Sequence, residues 1–409
     1  MEKLERQLQK LQLHYDRVCA YVDLDAIIHN YEQMKNCVDQ KTQLIGVIKT
    51  DGYGHGAIAI ARQLEKISYV WGYATATPEE AFILRDAGIK KPILILGYTF
   101  PYAYPRMIAE DIRPALFRPD SLPLFEKAAQ DAGKKAKVHI KVDTAMSRIG
   151  IFPDESGMRF IRELKECTHL EIEGIFTHFA KADMADLTPA REQFARFRDF
   201  VNRVEHELSL SIPMKHCSNS AAGIRMREAN MDAVRVGITQ YGLMPSDEIP
   251  ADLTDLKPAL SLKSRIVYVK EIPAGTQISY GGTFEADKAM RIATIPVGYG
   301  DGYPRALSQK GWVLIRGQRA QICGRVCMDQ LMVDVSHIPQ VMEGDIVTLI
   351  GRDGGESISM EQLGALSGRF NYELACDLGK RIPKVFIKNN SIVAAKDYIE
   401  DTALAVYEI

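Results

Sequence analysis

The chain has 409 residues, of which 46% are apolar and 25% charged, and a net charge of −2. That length suits one barrel plus a smaller domain, and that charge gives no reason to expect nucleic acid or an anionic membrane as partner. No apolar run approaches the roughly 20 residues that span a bilayer. The first 16 residues are charged throughout and lack the apolar stretch of a signal peptide, so the sequence reads as cytoplasmic. The seven cysteines (Cys19, Cys37, Cys167, Cys217, Cys323, Cys327 and Cys376) are odd in number and scattered. They indicate neither a disulfide framework nor, since Cys323 and Cys327 lack a second pair, a metal site.

Leu4, Leu8 and Leu11 recur at helical spacing in a charged segment and predict a short amphipathic helix, an extension spanning residues 1–17. The sequence does not choose between a cap on the fold and a contact with a partner. From about residue 42 to 240, β-rich runs alternate with helical patterns. The predicted strands are Leu44–Ile48, Val70–Ala74, Ile93–Gly97, Arg113–Phe117, Val138–Val142, Ile172–His178, Met214–Cys217 and Val234–Val236. Helices are predicted over Gly56–Ile67, Thr77–Ala87, Asp120–Ala132, Ser156–Cys167 and Pro189–Leu208; Thr77-Pro78-Glu79-Glu80 carries the cap, first-turn proline and acidic residues of a helix start. Eight such repeats indicate a parallel (β/α)8 TIM-type barrel, assigned to residues 18–255.

Beyond Pro258, strand-like runs follow one another directly: Leu260–Val269, Ile292–Pro296, Trp312–Ile315, Ala320–Ile322, Gln330–Asp334 and Asp345–Leu349. Turn signals such as Pro273-Ala274-Gly275 and Glu343-Gly344-Asp345 separate them, which indicates a mostly-β C-terminal domain over residues 256–409. The overall class is α/β, a barrel followed by this β-domain.

Lys49 ends the run Leu44-Ile45-Gly46-Val47-Ile48 and opens into Thr50-Asp51-Gly52-Tyr53-Gly54-His55-Gly56. A strand that delivers one lysine into a glycine-rich turn puts a primary amine within reach of a carbonyl. The glycines let backbone approach a ligand, and the Tyr53 phenol can donate a hydrogen bond to an anion. Such an amine must have its pKa lowered before it acts as a nucleophile.

In a parallel barrel, catalytic groups sit at the C-terminal ends of strands. Lys49, Lys141, Asp143, Arg148, His178, Asn219, Ser220, Arg235, Gly237 and Ile238 all fall at or just past predicted strand ends. Arg148 has a structural reading as a partner of Asp143, and His178 as a satisfied core histidine. Ser220 reads as a helix N-cap before Ala221-Ala222-Gly223, where its hydroxyl with the amides of Gly237 and Ile238 forms a phosphate cradle near the last two strands.

Val47-Ile48-Lys49-Thr50-Asp51-Gly52-Tyr53-Gly54-His55-Gly56 closely resembles the cofactor-lysine motif of the alanine racemase family, and the resemblance extends from about Tyr21 to Phe386. It implies pyridoxal 5′-phosphate (PLP) as cofactor, held by Lys49, which is also one of two opposed acid–base groups. Tyr280, in Ile278-Ser279-Tyr280-Gly281-Gly282-Thr283-Phe284, matches the second base. Arg235, in Val234-Arg235-Val236-Gly237-Ile238, matches the arginine facing the pyridine nitrogen, with His178 linking towards Tyr280. By the same resemblance, Arg148 lies near the substrate carboxylate, and Lys141 is a lysine often carbamylated that steadies it. Met328 and Asp329 match the strip where a backbone N–H meets that carboxylate, and Tyr299 and Tyr372 resemble the aromatic gate of the access channel, Tyr372 being counted with the cofactor-binding residues.

The resemblance further implies L- and D-alanine as substrates, D-alanine for peptidoglycan as product, and a homodimer in which Tyr280 reaches the active site of the other subunit. Asn371-Tyr372-Glu373 keeps the family pattern, but Asp377-Leu378-Gly379-Lys380 replaces the usual Thr-Ile-Ser after Cys376. That variation resembles serine racemase domains of glycopeptide-resistance systems, so a serine or dual alanine/serine activity is the alternative. Ser147 stands where the family usually has glycine, with little effect expected. PLP decarboxylases of similar architecture place an acidic residue where this chain has Arg235. A PLP-binding homeostasis protein shares the barrel but lacks a β-domain. Gly298-Tyr299-Gly300-Asp301-Gly302 opens no helix and so fails as a dinucleotide fingerprint.

Overall fold

The alternating runs between residues 43 and 236 are realised as eight parallel strands: Gln43–Val47, Val70–Thr75, Ile93–Ile95, Ile112–Leu116, Ala136–Lys141, Leu170–Phe176, Met214–His216 and Ala233–Val236. The computed structural model describes residues 2–11, 13, 15–399 and 405–406. Each strand pairs with the next in parallel register through the seventh, and the first pairs with the eighth from Gln43↔Ala233 to Gly46↔Val236. Between the seventh and eighth, the Asp232 amide donates to Lys215 O at 3.1 Å and the Arg235 amide to Ser218 O at 3.0 Å, which nearly closes the ring. The strand cores are buried, as a sheet covered by helices on its outer face requires. Helix Pro78–Asp86 starts at the predicted cap, with the Glu80 amide donating to Thr77 Oγ1 at 3.4 Å.

The chain divides into two compact units, Ile28–Gly52 with Ile60–Leu256, and Met1–Ile27 with Tyr53–Ala59 and Lys257–Ile409. The second unit is mostly β. A nine-stranded sheet runs in the order Gln318–Gln321, Trp312–Ile315, Ile346–Asp353, Leu260–Arg265, Val18–Asp23, Lys384–Lys388, Ser391–Lys396 and Ala405–Val406, with Glu356–Ile358 paired to Ile346–Asp353. A separate three-stranded sheet holds Tyr268–Ile272, Met290–Ile295 and Leu331–Asp334. The predicted run Leu260–Val269 therefore divides at Ile266-Val267 and feeds two sheets.

Val18–Asp23, which the sequence reading groups with the barrel, hydrogen-bonds instead to Leu260–Arg265 in antiparallel and Lys384–Lys388 in parallel register. Its residues up to Val22 are all buried, the demand any central strand makes, so composition does not tell which sheet it joins. The leading helix forms over Glu2–Lys10 and packs within this unit. Leu8 joins Cys19, Tyr21, Val385, Ile392 and Ala395, with Leu4 and Leu11 alongside. Arg265 ties the segment down through Glu5 at 2.8 Å and Asp16 at 2.9 Å. The helix thus caps a sheet of its own chain. Leu8→Ala is expected to destabilise this sheet by about 2 kcal/mol, the low end for a buried leucine, measured as a lower denaturant midpoint.

Candidate functional site

Lys49 stands two residues beyond the first barrel strand, at the start of a left-handed turn. Thr50, Asp51, Gly52, Tyr53 and Gly54 take φ values of 53°, 50°, 62°, 49° and 75°, and the Gly52 amide donates to Ile48 O at 2.8 Å. Left-handed backbone costs an L-residue roughly 1–2 kcal/mol, so something must hold three non-glycine residues there. Glu80 supplies one such tie: its carboxylate accepts the Thr50 amide at 2.5 Å and the Ala76 amide at 2.8 Å, joining the turn after the first strand to the end of the second. The sequence reading missed Glu80, which it counted only as a helix-start acid.

The other barrel residues gather at the same ends of their strands. Lys141 closes the fifth strand, His178 lies two residues past the sixth, Ser220 opens the helix Ser220–Arg225 past the seventh, and Gly237 and Ile238 follow the eighth. Arg235, on the eighth strand, is 3% exposed. Its Nη1 donates to His216 Nδ1 at 2.9 Å and His216 O at 3.2 Å; its Nη2 donates to Thr177 O at 2.7 Å, Cys217 O at 2.9 Å and His178 Nδ1 at 3.2 Å. Three carbonyls and two imidazoles surround it, and among the described residues no carboxylate pairs with it. Burial lowers its pKa to about 10, so it remains a cation at neutral pH. An arginine only donates, so the Nδ1 atoms of His178 and His216 are acceptors and both rings are neutral. Burial first, and then the Arg235 charge, hold both histidines well below their ordinary pKa. The core reading of His178 and the functional one are thus both met: its ring is satisfied, and its Nε2–H remains to donate elsewhere.

Lys141 is buried, donates to Val142 O at 2.7 Å and lies 5.5 Å from the centre of the Phe176 ring. Burial, with Arg235 next, lowers its pKa to about 7, against a smaller opposing pull from Asp143. Asp143 is not engaged with Arg148 in the way their spacing allows; its carboxylate accepts the amides of Ala145 and Ser147, both at 3.1 Å. Arg148 is exposed and among the described residues forms no ion pair. Ser147 sits at φ 55°, a left-handed position that explains why glycine suits it, and serine there carries a strain that its exposed side chain does not offset. Gln193, also missed from sequence, clamps the loop after the sixth strand by donating to His178 O at 2.7 Å and Thr144 Oγ1 at 2.9 Å while accepting the Ala180 amide at 3.0 Å.

The cap of helix Ser220–Arg225 is Asn219, one residue before the expected Ser220: its side chain accepts the Ala222 amide at 3.0 Å from an extended backbone. Ser220 Oγ accepts the Gly237 amide and the Thr239 hydroxyl, both at 2.9 Å. The Gly237 amide is therefore spent on orienting Ser220, whose own hydroxyl proton is left to donate. Ile238 opens a 3-10 turn, Ile238–Tyr241, whose first amides have no partner within the turn.

In the β-rich unit, Tyr280 begins the turn Tyr280–Gly282 and is 69% exposed. Ser279 before it takes φ 68° and donates its hydroxyl to Arg325 O at 2.6 Å. Met328 is exposed, and its carbonyl accepts the Gly300 amide at 2.8 Å beside Tyr299, whose amide donates to Cys327 O at 3.1 Å. Asp329 pairs with Arg381 at 2.8 Å. Tyr372 stacks on Phe370 at 4.6 Å and lies 6.0 Å from Tyr53, whose buried phenol has its pKa raised by desolvation. No helix of the described residues is long and apolar enough to cross a membrane.

Two families match the chain: the alanine racemase N-terminal domain over residues 22–245 and the alanine racemase C-terminal domain over residues 259–386. An alanine racemase of Desulfovibrio desulfuricans is 44% identical over 376 residues, covering 91% of this chain and 99% of that protein. Among solved structures, the alanine racemase of Clostridium difficile 630 superposes with a TM-score of 0.89 at 36% identity, over 94% of this chain and 99% of that one. The Bacillus anthracis alanine racemase with bound L-Ala-P gives 0.89 at 34% identity, over 95% and 100%. The chain belongs to the alanine racemase family, PLP-dependent isomerases that act on the enantiomers of alanine.

Proposed function

We propose that this chain racemises alanine with two opposed bases, Lys49 of one subunit and Tyr280 of the partner subunit, in a cytoplasmic homodimer that supplies D-alanine for peptidoglycan. The observation that carries the reading is Arg235, a buried cation with no carboxylate among its recorded partners and, among the described residues, no hydrogen bond on its Nε. Five acceptors fix both of its Nη atoms, so the remaining donor fits an acceptor supplied from outside the protein, as an unprotonated pyridine nitrogen is. An acidic residue there would protonate that nitrogen; an arginine keeps it bare. The donor set fits PLP elsewhere as well: Ser220 Oγ–H and the Ile238 amide suit a phosphate, Tyr53 and Tyr372 would line the cofactor, and Lys49 is the amine that would hold it. When bound, PLP withdraws electrons from the substrate α-carbon, more weakly with its nitrogen unprotonated.

Racemisation removes a proton from one face of that carbon and returns one to the other. A single base would have to swing across the cofactor; Lys49 and Tyr280 of the partner subunit need no such motion. His178, fixed as an acceptor at Nδ1 by Arg235, donates from Nε2 and so favours a phenolate opposite it. Arg148, exposed and, among the described residues, without an ion pair, takes the substrate carboxylate with the backbone of Met328, beside Asp329; Tyr299 narrows access. Lys141, with its pKa near 7, is partly neutral at physiological pH and can accept carbon dioxide to become a carbamate that steadies Arg148.

Purified protein is expected to be yellow with PLP, and Lys49→Ala to abolish both the covalent absorbance and turnover. On the same sample, kcat/KM for alanine should exceed that for serine by about 10- to 200-fold, the reach of one added hydroxyl in a mostly apolar site; parity would assign a dual racemase. Tyr280→Phe is expected to slow α-proton exchange in deuterated water on one enantiomer far more than on the other, and equal loss would remove its assigned role. The Lys141 carbamate, followed by 13C NMR with labelled bicarbonate, should fade as pH falls below about 7, because protonation of the amine (pKa about 7) removes its nucleophile. A carbamate signal unaffected between pH 8 and pH 6 (values bracketing that pKa, roughly one unit each side) would contradict it.

A further inference from the structure

Behind Arg235, a line of buried polar side chains leads away from the catalytic rim, each from a different barrel strand. His216 Nε2 lies 3.0 Å from His139 Nδ1, and His139 Nε2 lies 3.2 Å from Glu173 Oε2. Glu173 also accepts from Arg113 Nε at 2.9 Å and Nη2 at 3.3 Å, and pairs with Lys137 at 3.2 Å. Arg113 in turn meets the exposed Asp111 at 2.8 Å, near the opposite end of the barrel. The donors admit one proton arrangement. Arg235 can only donate, so His216 accepts at Nδ1 and carries its proton on Nε2. That proton faces His139 Nδ1, which must also accept, so His139 carries its proton on Nε2 and gives it to Glu173.

We propose that Glu173 is a positioning residue for catalysis: through His139 and His216 it fixes a single direction of hydrogen bonding that holds the Arg235 guanidinium as a donor towards the cofactor nitrogen. This rests on the role given to Arg235 above. The surroundings are built around the relay. A Cβ on Gly174 would lie 2.4 Å from His139 Nδ1, so only glycine leaves room for that ring beside Glu173. Phe176 stacks on His216 at 4.8 Å and 5°, and Trp71 tilts over His139 at 5.6 Å. The charged groups facing the relay are Arg113, Lys137, Lys141 and Arg235, with Glu173 the one carboxylate among its direct hydrogen-bond partners. With that acceptor gone, the buried His139 Nε2–H is left without a partner, so the reversed arrangement, in which His139 donates from Nδ1 and His216 carries its proton on Nδ1 against the Arg235 donor, competes with the native one. Burial and neighbouring cations keep both histidines neutral, which preserves the direction.

The test uses 15N-histidine NMR on the protein before and after PLP loading, with the ratio of racemisation to transamination measured on the loaded form. Wild type is expected to show His139 and His216 neutral, with Nε2 protonated and Nδ1 bare. The double variant Arg113→Met/Glu173→Met removes both buried charges together, which avoids stranding either one. It is expected to show mixed tautomers at His216 and a racemisation-to-transamination ratio lower by roughly tenfold, the scale for losing an outer hydrogen-bond partner, with KM for alanine little changed. Glu173→Gln, which can keep an oxygen towards His139, should retain wild-type tautomers and ratio. The proposal is overturned if wild-type His216 carries its proton on Nδ1, if the double variant keeps the wild-type tautomers or ratio, or if Glu173→Gln loses both as fully as the double variant does. Failure of wild type to take up PLP would sink the functional reading alone, since the tautomers of the unloaded protein are read independently.

Discussion

A cation buried in the barrel, with no direct anionic partner among the described residues, is the constraint on which the catalytic end of this structure depends. Removing a guanidinium from water is expensive, and the usual remedy is a carboxylate. Arg235 instead receives carbonyls from Thr177, His216 and Cys217 and lone pairs from two imidazoles. Those dipoles satisfy its hydrogens without neutralising its charge. The residual field lowers the proton affinity of everything near it: His178, His216 and Lys141 are all shifted down, with burial the larger cause and Arg235 the next. Burial and this one residue together thus keep two imidazoles neutral and one amine reactive.

Much of this was legible in the sequence. All eight barrel strands fall within two residues of their expected bounds at each end, because most are short apolar runs set off by turn residues and a helical segment. The lysine motif with its glycine turn is one contiguous string, and Arg235 lies in another, Val234 to Ile238, so local pattern sufficed to find each. Sequence was silent where a residue's meaning comes from a neighbour distant in the chain. His139 lies inside one barrel strand and His216 ends another, and nothing near them in sequence announces that their rings meet across 77 positions. Glu80 looks like any first-turn acid, yet two amides from other loops converge on it.

Sheet membership was the other blind point. Val18–Asp23 and Leu260–Arg265 are good strands by composition, but pairing joins them across some 240 residues of chain to each other. A period-2 or fully apolar run says that a segment is extended and covered; it does not name the partner. The same ambiguity hides the break at Ile266-Val267, where an alternating run passes into an apolar one and crosses from one sheet to another. Ser220 and Asn219 differ by one position for a smaller reason: both are good caps, and only the extended backbone of Asn219 decides between them.

The turn from Thr50 to Gly54 has a consequence for the order in which the protein is made. Left-handed backbone over three non-glycine residues has no local preference to sustain it, so the free segment will not adopt it alone. One of its ties is the Glu80 carboxylate, which is in place only after the second strand and the helix that follows have docked. The turn beside the reactive lysine is therefore completed by a residue thirty positions further along the chain, and that tie cannot form before the strand and helix carrying it are in place.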